Sequence, residues 1–73
     1  EPTTAPKPFP KPSSLKEILE LDVKMEAEDV ENYLAHSKWA EELGFPELKM
    51  KLEEMAADEA GHGRELRRLL KGM

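Results

Sequence analysis

A chain of 73 residues with a net charge of −5 and no cysteine has room for one small domain, whose core alone supplies at most ~3–5 kcal/mol. Without cysteine these residues can form no disulfide, thiolate zinc site or rubredoxin-type iron centre, so extra support must come from self-association or from a metal held by oxygen and nitrogen. The acidic balance argues against nucleic acid or an anionic membrane as partner, and no apolar run approaches the ~20 residues of a membrane helix, so a soluble protein is expected.

The sequence opens at Glu1 rather than Met, which leaves open a removed signal peptide, an upstream domain or a trimmed start. Five of the six prolines fall at Pro2, Pro6, Pro8, Pro10 and Pro12. Their fixed φ and missing N–H groups forbid a helix and favour extended polyproline II, so residues 1–13 read as a tail or linker. The alternating Lys-Pro pattern also fits an SH3-type ligand, but a spacer or an arm along a neighbouring subunit is the plainer reading.

The remaining residues, 14–73, read as a helical hairpin. Ser14 with Glu17 three residues on forms a capping box, and neither Gly nor Pro recurs before Gly44, so a first helix is predicted over 15–43. Gly44 can take the left-handed conformation that ends a helix and Pro46 suits the first turn of another, which makes 44–46 a tight reversal. A second helix is predicted over 46–71, with Arg64, Arg67, Arg68 and Lys71 near its negative dipole end.

At about 100° per residue, Leu15, Leu19, Val30, Tyr33, Leu34 and Ala40 share one arc of the first helix, widened by Ile18, Leu21, Met25, Trp39 and Leu43. The second helix offers Leu48, Leu52, Met55, Ala56, Leu66, Leu69 and Leu70. That stripe covers only part of the wide arc, so a second hairpin is needed to cover the rest. The predicted fold class is all-α: a two-helix antiparallel hairpin that dimerises into a four-helix bundle.

Glu59 and His62 lie three residues apart within the second stripe, between Met55 and Leu66, and are expected to turn toward the core. A buried carboxylate needs a countercharge, and a carboxylate and an imidazole at i, i+3 can converge on one metal ion. Glu26 adds a third group. It shares the face of Leu19, Val30 and Tyr33, lies at a matching height across the hairpin, and has Asp29, about 60° round the helix, as its one serious competitor. Glu28 and Glu31 fall on the solvated face with Glu17, Glu20, Lys24, Lys38 and Glu42. The plain alternative is that these charges merely pair with one another. His36 reads as surface, with a metal entry site as the other possibility, and Trp39 as a hairpin or subunit contact.

From Glu26 onward the chain resembles one half of a rubrerythrin or bacterioferritin core: Glu26, Tyr33, the Gly44-Phe45 turn, Leu48, Leu52, then Met55-Ala56-Ala57-Asp58-Glu59-Ala60-Gly61-His62. The 33-residue interval from Glu26 to Glu59 matches those families without a gap. The resemblance implies a ferritin-like fold and a di-iron centre with ferroxidase activity, oxidising Fe(II) with O2 or peroxide for iron storage or protection against oxidants. Those families carry two helix pairs per chain and this sequence carries one, so the resemblance is closest to the encapsulated ferritins, in which a homodimer assembles the centre.

Carried over, Glu59 and its symmetry mate bridge two irons per dimer, Glu26 and His62 are terminal ligands, Tyr33 hydrogen-bonds a ligand carboxylate and Asp58 orients the His62 ring of the other copy. Tyr33 on its own reads as core. The resemblance also implies a ring of dimers or an encapsulin shell as the route to storage, and hence a cytoplasmic location, inside such a shell or outside it. A helical dimerisation module without an active metal site and a rubrerythrin-like peroxidase are the alternatives. The peroxidase normally takes electrons from a rubredoxin centre, for which these residues have no cysteine.

Overall fold

The computed structural model describes residues 11–73 and contains two helices, α1 (Leu15–Glu42) and α2 (Pro46–Lys71), packed against each other. The Pro-rich segment expected to be extended lies outside the described residues up to position 10. Ser14 begins α1 as the sequence requires. Its extended backbone and its Oγ, which accepts from the Glu17 N–H at 3.1 Å, satisfy one of the donors left open by the first turn. The Glu17 carboxylate reaches back to the N–H of Ser13 at 2.8 Å and to its hydroxyl at 2.9 Å, one residue earlier than a standard capping box. Those bonds, with the backbone one the stronger, hold the Glu17 pKa below its ordinary value.

Leu43 caps α1, and Gly44 turns the chain with φ of +87°, a left-handed conformation in which a side chain would be strained. Pro46 then opens α2, where its missing N–H costs nothing. The short reversal makes the two rods antiparallel, each about 40 Å long at 1.5 Å per residue.

What the two helices bury is modest. Among the described residues Leu19, Ala40 and Ala56 are the buried apolar ones, joined by Glu26, Ser37 and Gly63, and none of their large side chains is fully enclosed. The Ser37 hydroxyl resolves its own burial by donating to the Leu34 carbonyl at 2.8 Å. Leu15, Ile18, Leu34, Trp39, Leu43, Phe45, Leu48 and Leu69 all stay exposed.

The residues of α2 expected to form its core stripe behave unevenly, for a geometric reason. Ala56 and Gly63 mark the side of α2 that meets α1. Counting about 100° per residue, the stripe Leu48, Met55, Leu66 and Leu69 is centred about 90° away, toward one open side of the hairpin. On α1 the same open side carries Ile18, Met25, Asp29, His36, Trp39 and Leu43. Small residues at the contact bring the helices close together, and the large apolar ones are left to line a groove beside them. Near the turn this groove has a cavity of about 530 Å³ lined by His36, Trp39, Ala40, Leu43, Phe45, Leu48 and Leu52.

Candidate metal centre

Glu26 sits at the middle of α1 on the face turned to α2, with only 6% of its surface exposed. Helix periodicity puts it there, one to two turns from Leu19, Val30 and Tyr33. Its carboxylate lies against the backbone of Gly63, where a Cβ would overlap Oε1 and Cδ and stand 2.9 Å from Oε2. The Arg67 guanidinium, one turn further along α2, donates to Oε1 at 3.3 Å. The countercharge expected from a metal is therefore supplied, within one chain, by Arg67, a residue whose sequence position alone points only to the helix dipole.

Glu59 and His62 are adjacent as their spacing requires: Nδ1 of His62 donates to Oε1 of Glu59 at 2.9 Å. His62 nevertheless does not turn into the hairpin. Its side chain is 71% exposed while that of Glu59 is 24% exposed, because both lie on the apolar stripe that faces the open groove. The expectation of an inward imidazole is thus corrected for the single hairpin. The stripe is only partly covered by α1: Leu52, Met55, Leu66 and Leu70 are half-buried, while Leu48, His62 and Leu69 stay exposed.

Asp29, the competitor of Glu26, proves to belong to the cluster. Its carboxyl lies within hydrogen-bonding reach of Glu59, and the proton it shares there, more than its loss of water or the nearby charges of Glu59, Glu28 and Glu26, raises its pKa. Glu59 is shifted the other way, first by the hydrogen bond from His62 and then by the one from Asp29. Asp29 and His62 thus both act on Glu59, with Glu26 near enough to act on Asp29 electrostatically. The Glu59 oxygen and the His62 nitrogen both carry lone pairs, so the proton between them can be exchanged for a cation.

The donor set fits a hard or borderline metal ion. Carboxylate oxygens and an imidazole nitrogen suit iron, manganese or zinc. Neighbouring donors on an ion with bonds of ~2.1 Å lie ~3 Å apart, close to the 2.9 Å between the Glu59 and His62 atoms. One chain does not complete a site, however: among the described residues no three such side chains gather at metal-holding distances.

The other two expected participants stay apart from this cluster. Tyr33 is half-buried and makes no hydrogen bond to Glu26, Glu59 or Asp29, and Asp58 is exposed. Glu28 and Glu31 are exposed as expected. The His36 ring stacks on Trp39, with ring centres 5.1 Å apart at the edge of the groove.

Two antiparallel helices with glutamates facing from each and an E-x-x-H pair on the second define a ferritin-like helical pair. The family model described as Rubrerythrin matches residues 17–73, and the chain belongs to that family. No curated protein and no solved structure matches it. The family is typically iron-binding and often oxidoreductive, and no described helix is long and apolar enough to cross a membrane.

Proposed function

We propose that two copies of this hairpin pair through their open grooves and together hold two iron ions, and that the assembled centre is a ferroxidase. The observation that carries this reading is the position of Glu59 and His62 on the unpaired apolar stripe of α2. A second hairpin laid on that stripe would cover Met55, Leu66 and Leu69 and would enclose the two ligands in the same step. Apolar burial and completion of the site would then be one event.

In this arrangement Glu26, Glu59 and His62 supply the donors from each copy, and Asp29 releases the proton it shares with Glu59 when the metal binds. Fe(II) is the substrate: two ions lose one electron each, and O2 with two protons becomes hydrogen peroxide. Anionic oxygen donors favour the ferric product because they stabilise the higher charge. Tyr33 and Asp58 would reach the ligands only from the second copy or after metal binding. A larger ring of dimers, or a surrounding protein shell of the encapsulin kind, would supply the enclosed volume that storage requires. A peroxidase role would need electrons from a separate redox partner, since these residues hold no cysteine.

One observation favours a rival reading. The Arg67–Glu26 pair settles the buried charge without metal, as a helical dimerisation module would need. Anaerobic addition of Fe(II), followed by air, separates the two. The ferroxidase reading predicts near-ultraviolet ferric absorption that grows rapidly in the wild type and is lost in Glu59→Ala. Absence of bound iron, or oxidation unchanged in Glu59→Ala, supports the module.

A further inference from the structure

Among the described residues Glu26 is the one charged group buried between the two helices, and what makes room for it is an absence on the opposite helix. Gly63 faces it from the side of α2 that meets α1, and a methyl group at that position would occupy the space now filled by Oε1 and Cδ of the carboxylate. Glycine inside a helix is costly relative to alanine, and φ at Gly63 is not in the region that requires it. Backbone conformation therefore does not account for the residue. Gly61, two positions earlier on the same helix, provides the contrast: a Cβ there would meet only the tip of Arg64 at 3.5 Å, an ordinary contact.

We propose that Gly63 is a positioning residue for Glu26, its missing side chain forming the recess that holds the carboxylate between the helices one turn of α2 beyond Glu59. Arg67, one turn on along the same face, closes the outer side of that recess through its bond to Oε1. A methyl at 63 forces the flexible end of Glu26 to swing out of the recess along α1. That donor then leaves its place near the other ligands. The metal part of this role rests on the proposed iron-binding reading, and the packing part does not.

The test is a cycle of four metal-free proteins (wild type, Gly63→Ala, Glu26→Ala and the double variant) followed by circular dichroism on heating, with Co(II) affinity then read from its visible absorption. One helix-propensity increment moves the melting midpoint of a chain this size by ~4–8 °C. Gly63→Ala is expected to raise the midpoint by ~4 °C or more beyond its effect in the wild type when placed in the Glu26→Ala background, because in the wild type displacing the Glu26 carboxylate and its bond to Arg67 offsets the helix-propensity gain. Co(II) affinity is expected to fall at least ~10-fold in Gly63→Ala with helix content retained, while Gly61→Ala raises the midpoint and leaves Co(II) affinity unchanged.

A change in midpoint of the same sign and size in both backgrounds, or Co(II) affinity in Gly63→Ala equal to that of the wild type, overturns the proposal. If Gly63→Ala alone does not fold, a folded double variant supports the recess and an unfolded one overturns it. Wild-type protein that binds no Co(II) overturns the iron-binding reading instead, and the metal-free cycle still decides whether Gly63 shapes the place of Glu26.

Discussion

Replacing Leu48 with glutamate probes the open groove where it is easiest to interpret. Leu48 is 51% exposed and lines the cavity beside Trp39 and Leu43, so within one hairpin the substitution removes little packing, and changes at such exposed positions fall within ~0.5 kcal/mol. A carboxylate in the first turn of α2 is also favoured by the helix dipole. If two hairpins pair through this groove, the exposed half of each leucine is buried, worth about 1 kcal/mol per copy from the ~1.5–3 kcal/mol of a whole side chain. The change acts twice in a two-fold dimer, giving about 2 kcal/mol, or ~30-fold in dissociation constant, before the cost of enclosing two carboxylates is added. Sedimentation velocity over a concentration series reads this directly, with helix content as the control. Leu34→Glu, on the opposite side of the hairpin, is expected to leave the association unchanged. A Leu48→Glu protein that associates as tightly as the wild type, or a wild type that stays monomeric throughout, refutes the pairing of the grooves.

Other outcomes follow from the same geometry. Ser14→Ala removes the acceptor for the Glu17 N–H and is expected to cost about 1 kcal/mol, lowering the melting midpoint by ~4–8 °C. The raised pKa of Asp29 means that the folded state holds its proton more tightly than the unfolded chain does, so that contribution to stability is lost as pH rises above the ordinary aspartate value of 3.8. The lowered pKa of Glu59 has the opposite sign: its contribution is present above the ordinary glutamate value of 4.5 and lost as pH falls through the lowered one. Metal-free protein should therefore melt highest in mildly acidic buffer, and Asp29→Asn should flatten the decline on the alkaline side; an unaltered profile in that variant contradicts the shared proton. His62→Ala is expected to abolish Fe(II) oxidation, like Glu59→Ala, while Glu28→Ala leaves it intact. Activity lost in the Glu28 variant alone would show that the helix register has been misread.

Much of this arrangement was legible before any coordinates. Ser14, Gly44 and Pro46 act through local backbone chemistry, which is why the helix ends and the reversal could be placed from residue type alone. The inward face of α1 was also readable, because Leu19, Glu26 and Ala40 repeat at helical spacing. The direction of His62 was not. Periodicity identifies a stripe but does not say which neighbour it faces, and the small residues Ala56 and Gly63 rotate the contact side of α2 away from its large apolar side chains. The same limit hid Gly63 itself, since a missing side chain leaves no signal in a hydrophobic pattern. Arg67 was obscured differently: its partner lies 41 residues away, and long-range pairing cannot be inferred from a helix dipole. Asp29 was visible as a competitor for the site rather than as a member of it, because only the structure brings Glu59 within its reach.

The central claim is that the ligand set becomes complete when two identical hairpins meet. Native mass measurement of the protein with and without anaerobic Fe(II) tests it most directly. The account predicts a dimer, or a ring of dimers, that takes up two iron ions per pair of chains and loses them in Glu59→Ala. Single chains that remain single, with or without iron, would contradict it.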